Sequence, residues 1–170
     1  MRLVKPPHPQ VTGTGLYYCT EAGNRKHAID LVIEALRGLP NDPSEFLAEM
    51  GEAMREWTIE AVVQGAWVRE YHKWETDTKS YFNVMYARNK ASPPNWKKLT
   101  GSHVEKIETQ LALFSVTPPA SLTVIDKTRD RINDAKHEDS YLASQSDYEC
   151  LTTAVDQFWQ SLITQEVFTP

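Results

Sequence analysis

Two cysteines in 170 residues, Cys19 and Cys150, are too few for a disulfide framework and too scattered for metal-ligand spacing. They are read as reduced thiols in preference to a disulfide. That fits the missing export signal, since Met1-Arg2-Leu3-Val4-Lys5-Pro6-Pro7-His8-Pro9 lacks the apolar stretch a signal peptide needs. No run of about 18 apolar residues occurs, so no transmembrane helix or membrane partner is expected, and the expected location is the cytoplasm. There is no alternating pattern long enough for a strand, no internal repeat and no low-complexity tract. The histidines, His8, His27, His72, His103 and His137, form no His-x-x-x-His or Glu-x-x-His pair. The glutamates between 52 and 75 therefore give no di-metal site, and no cofactor or metal is expected. Cations are also in deficit, with 18 Lys and Arg against 23 Asp and Glu for a net charge of −5. This argues against sequence-independent coating of a phosphate backbone, though not against an enzyme that touches one or two phosphates.

What is present is helical periodicity. The Pro- and Gly-punctuated residues 1–22 are expected to form an extended N-terminal arm, with residues 23–167 as a single helical-bundle domain. Asn24 is the expected cap of a first helix, which Gly38 and Pro40 end. Asp42-Pro43-Ser44-Glu45 starts a second helix that meets no proline until Pro93. Phe46, Leu47, Met50, Met54, Trp57, Ala61, Val62, Val68, Tyr71, Trp74, Tyr81, Phe82 and Met85 predict one very long helix or two in line, bent at Gly51 and Gly65. Ser102-His103-Val104-Glu105 caps a short helix, Ser121 opens another, and Ser146-Asp147-Tyr148-Glu149 is a capping box for the last. That last helix carries Leu151, Ala154, Val155, Phe158, Trp159, Leu162 and Ile163 as one apolar stripe. The expected fold is all-α, a bundle of about five helices with one long helix. Its stripe outlasts its short partners, which points to a homodimer.

Chemistry concentrates in Arg129-Asp130-Arg131-Ile132-Asn133-Asp134-Ala135-Lys136-His137, where a helical pattern runs out. A guanidinium is a permanently charged fork for phosphate, and an imidazole moves a proton near neutral pH. Together they are a metal-free kit for cleaving RNA. Arg131 and His137 have five residues between them, and Tyr141 follows four positions later. This stretch, with the helix after it, resembles over residues 121–163 the HEPN superfamily of small all-helical nucleases, whose signature is an Arg and a His separated by four to six residues before the final helix.

The resemblance implies a metal-independent endoribonuclease of toxin–antitoxin or antiviral-defence type. Two protomers would bring their pairs together, with Arg131 on the phosphate and His137 as proton carrier. Arg129, Asn133, Lys136 and Tyr141 are the supporting candidates, and the choice between Arg129 and Arg131 stays open in the sequence. RNA is the implied substrate, and an antitoxin protein is a partner by analogy alone. The alternative is a non-catalytic HEPN-like interaction or scaffolding module, in which both residues serve the end of a helix. Arg88-Asn89-Lys90 and Trp96-Lys97-Lys98 form a second basic run, with Trp96 read as packing back onto the bundle in preference to stacking a base. Trp159 and Phe158 are read as core, and His72 as a surface or interface residue.

Overall fold

Five α-helices follow one another in the computed structural model, which describes residues 14–39, 45–137 and 143–165, with the backbone alone for 45–49 and 135–137. They are α1 (Thr14–Arg37), α2 (Glu45–Arg88), α3 (His103–Leu113), α4 (Leu122–His137) and α5 (Gln145–Gln165). No strand occurs among the described residues, so the chain is an all-α bundle. α5 is its centre and packs on α1, α2 and α4, while α3 and α4 lie against α2.

The apolar stripe of α5 is broad because three neighbours face it. Leu151, Ala154, Val155, Phe158, Trp159 and Leu162 are all buried there. Trp159 stacks on Tyr18 of α1 at 5.0 Å and meets Tyr81 of α2 edge-on at 5.8 Å. Phe158 meets Trp74 edge-on at 5.5 Å. Full burial of each such side chain contributes about 1.5–3 kcal/mol, and the paired rings add roughly 0.5–1.5 kcal/mol per contact.

α1 begins at Thr14, so the expected arm is helical from that point and Asn24 lies inside a helix instead of capping one. Tertiary contact explains the early start. Tyr18, Cys19 and Ala22 are buried, Gln160 Nε2 donates to Cys19 Sγ, and Arg88 Nη2 at the end of α2 donates to the buried Thr14 Oγ1 at 2.6 Å. These anchors outweigh the local Gly-rich signal.

α2 runs uninterrupted through Gly51 and Gly65 for 44 residues, a rod about 66 Å long at the usual rise. The Asp42 cap expected ahead of it lies outside the described residues. One edge of α2 buries Ile59, Val63, Trp67, Tyr71, Trp74, Tyr81 and Phe82. Met50, Met54 and Trp57, one turn apart on another face, stay exposed at 49%, 62% and 74%.

Sequence and structure agree at α3. Glu105 N donates to Ser102 Oγ, and the Glu105 carboxylate accepts from Ser102 N, closing the expected capping box. Gly101 before it holds φ at +93°, where a Cβ would lie 2.7 Å from that carboxylate, so glycine is required. The box on α5 is shifted by two residues. Ser144, not Ser146, is the cap: Asp147 N donates to Ser144 Oγ, and Asp147 Oδ2 accepts from Ser144 N and Oγ. This register turns Tyr148 inward, where it is 2% exposed.

Candidate functional site

Arg131 lies near the end of α4, on the side that meets α5. Its Nη1 is 2.7 Å from Asp147 Oδ1, and its guanidinium sits 5.8 Å over the ring of Trp67. Asp147 therefore caps α5 with one oxygen and holds Arg131 with the other. Burial raises the Asp147 carboxyl, but the bonds from Arg131 and Ser144 outweigh it and hold the group below its usual range. The Arg131 side chain remains 43% exposed. Arg131 is thus fixed in direction yet open to solvent on one side.

Of the other motif residues, Asn133 is exposed on α4. His137 is the last helical residue of α4 and Lys136 precedes it; the side chains of both lie outside the described residues, as does the whole of Tyr141. Six positions of helix separate the backbones of Arg131 and His137 by about 9 Å along the axis.

Arg129 does not share the Arg131 site. Residues two apart on a helix differ by about 200° in direction, so the two arginines serve opposite sides of α4. Arg129 instead reaches a hollow of about 330 Å³ between α2, α3 and α4, walled also by Glu75, Lys79, Lys97, His103 and Lys106. His103, the first residue of α3, is 9% exposed and lies edge-on to Trp74 at 5.6 Å, with Nε2 3.4 Å from Thr78 Oγ1. Burial pushes its imidazole down to about 4; Lys79, Lys106 and Arg129 press the same way, and Glu75 opposes them. It is neutral at pH 7. Trp96, beside it, packs on Phe82 at 5.8 Å and on His103 at 5.9 Å, as a core-covering residue of its loop should.

The sequence carries no sign of this hollow, because its residues come from four separate segments. It also hid a buried ionic cluster between α1 and α2. Arg25 holds Glu70 by a fork, Nε to Oε2 at 2.7 Å and Nη2 to Oε1 at 2.8 Å. Arg25 Nη1 lies 3.6 Å from Asp77 Oδ2, and Lys73 bonds the other Asp77 oxygen. Glu70 and Asp77 are 4% and 2% exposed. The cluster ties α1 to α2, although Arg25 Nη1 and Asp77 Oδ2, 3.6 Å apart, complete no hydrogen bond.

Among the described residues no group of three His, Cys, Asp or Glu side chains gathers so as to hold a metal ion, and no helix is long and apolar enough to cross a membrane. Compared with protein-family models, curated proteins and solved structures, the chain matches none.

Proposed function

We propose that the chain is a metal-independent endoribonuclease of the HEPN type, cytoplasmic and dimeric, serving toxin–antitoxin or antiviral defence. The observation that supports this reading is the presentation of Arg131. It stands on the penultimate helix of an all-α bundle, aimed by Asp147 and Trp67 and half open to solvent, on the helix that His137 ends.

In the proposed reaction the 2′-hydroxyl gives its proton to an imidazole and its oxygen attacks the adjacent phosphorus. The P–O5′ bond breaks, and the 5′-oxygen takes a proton from an imidazolium. The products are a 2′,3′-cyclic phosphate and a 5′-hydroxyl. Arg131 neutralises charge on the phosphorane oxygens. One imidazole serves as base and another as acid, so two copies of His137 are needed. The exposed Met50, Met54 and Trp57 stripe supplies an apolar surface for such a dimer. An antitoxin partner belongs to the reading only by analogy.

A second reading, a non-catalytic helical interaction module, is favoured by one observation: the 2.7 Å bond to Asp147 gives Arg131 a structural duty of its own. Cleavage of a labelled, structured RNA pool in EDTA separates the two. The nuclease requires cleavage by the wild type that both His137→Ala and Arg131→Ala abolish while helicity and oligomer size persist. Arg131→Lys, which keeps a charge for Asp147 but loses the fork, should also be inactive. An uncut pool, or cutting that survives His137→Ala, leaves the interaction module.

A further inference from the structure

The hollow at the start of α3 gathers cations that the RNA-cleaving reading leaves unused. Lys79 comes from α2, Lys97 from the loop before α3, Lys106 from α3 and Arg129 from α4. They meet at one place in a chain whose net charge is −5. Lys79, Lys106 and Arg129 are partly buried, and among the described residues none of the four lies within ion-pair distance of a carboxylate. Glu75, one turn before Lys79, is placed for an ordinary i,i+4 pair with it, yet its Oε2 lies 3.3 Å from His72 Nδ1 instead. Four cations against the single Glu75 carboxylate on the wall still repel one another, and an anion between them lowers that cost. The first turn of α3 opens on the same space, its dipole partly offset by the Glu105 carboxylate that accepts from Ser102 N.

We propose that this hollow binds a compact, multiply charged phosphate, the oligophosphate chain of a nucleotide. Its volume of about 330 Å³ stands near the lower end of the roughly 300–1,000 Å³ common for small-molecule sites. That is room for a phosphate chain within reach of four cations, not for a length of folded RNA. The neutral His103 at its wall fits the same ligand, because it leaves an uncharged ring where a fifth cation would add repulsion to the empty site. The site is independent of Arg131 and His137, since Arg129 and Arg131 serve opposite sides of α4.

Calorimetric titration of the full chain at about 150 mM salt, where diffuse attraction is screened, tests it with two probes, inorganic tripolyphosphate and a nucleoside 5′-triphosphate. The expected result is one saturable site per chain. Lys106→Gln and Arg129→Gln should each weaken it by about tenfold or more, while Lys127→Gln, an exposed cation elsewhere on α4, changes it less than about twofold. Lys79→Gln takes the place of either variant that fails to keep the helicity of the wild type. Bound phosphate should also raise the His103 titration seen by NMR from its value near 4. Equal affinity for the two probes makes the phosphate chain the whole determinant; tighter binding of the nucleotide adds a contact to its nucleoside. Absence of saturable binding overturns the proposal, as does an equal loss in Lys127→Gln. Tighter binding of a 5′-hydroxyl RNA oligomer through the same cations overturns it in favour of a phosphodiester strand.

Discussion

Replacing Arg25 by Met strips two nearly dry carboxylates of their shared guanidinium. The side chains of Arg25, Glu70 and Asp77 are 18%, 5% and 3% exposed, so solvent cannot stand in for the lost charge. Breaking a buried pair from one side costs about 3–5 kcal/mol. Asp77 keeps Lys73, and Met fills much of the arginine's apolar volume, so the expected loss is about 3–4 kcal/mol at pH 7. For a chain of this length that lowers the melting temperature by roughly 6–16 °C. Acid should relieve it. Burial, the largest influence on the Asp77 carboxyl, already raises it above its usual range, and loss of Arg25 raises it further. A carboxyl raised in the folded state binds its proton there first. The variant's stability therefore falls as pH rises from about 4, the unfolded value, through the raised folded one, and its deficit is larger at pH 7 than at pH 5. Urea unfolding followed by far-ultraviolet circular dichroism at both pH values reads the difference. Arg25→Met combined with Glu70→Leu, which removes the orphaned charge as well, should recover more than half of the loss. A cost below about 1 kcal/mol, or one that does not change with pH, would refute the claim that these charges are held dry.

Two further perturbations bear on the motif region and on the long helix. Asp147→Asn removes the Arg131 partner and weakens the α5 cap, so it should cost about 1–2 kcal/mol at pH 7 by urea unfolding. Because the Asp147 carboxyl is depressed in the folded state, its contribution is present above the unfolded value of about 3.9 and is lost as pH falls below that; the variant and wild type should converge there. Gly65→Ala meets nothing within 4 Å and lies in the interior of α2, so it should stabilise the chain by about 0.5–1 kcal/mol in thermal melts. Destabilisation by that alanine would mean that a second molecule approaches the helix closely there.

The parts of this architecture that were legible in the sequence are those set by neighbours along the chain. Leu151, Ala154, Val155, Phe158, Trp159 and Leu162 announce the buried face of α5 by their spacing, and Ser102 with Glu105 closes its box as four consecutive residues allow. Local grammar failed where two spellings compete. Both Ser144-x-x-Asp147 and Ser146-x-x-Glu149 can cap a helix, and what selects the first is remote: Tyr148 must enter the core and Asp147 must meet Arg131. The start of α1 is decided by Trp159, Gln160 and Arg88, which the residues around Thr14 cannot foretell. Nor does any spacing reveal that Arg25 reaches Glu70 across 45 positions, or that Arg129 and His103 share a hollow. The Arg131 and His137 pair could be singled out by residue type, whereas the Asp147 that aims Arg131 could not.

The seating of α1 on α5 has a temporal side. Cys19 and Gln160, which touch across that contact, are 141 positions apart, and α1 makes more of its contact with α5 than with α2. At about 5–20 residues per second, on the order of ten seconds of synthesis separate the two helices. Through that interval Tyr18, Cys19 and Ala22 have left the ribosome while the aromatic wall that covers them has not been made. Closing so long a loop adds an entropic barrier that neighbouring helices do not face. Among the five described helices, α1 is therefore the one that must wait longest for its partner, α5.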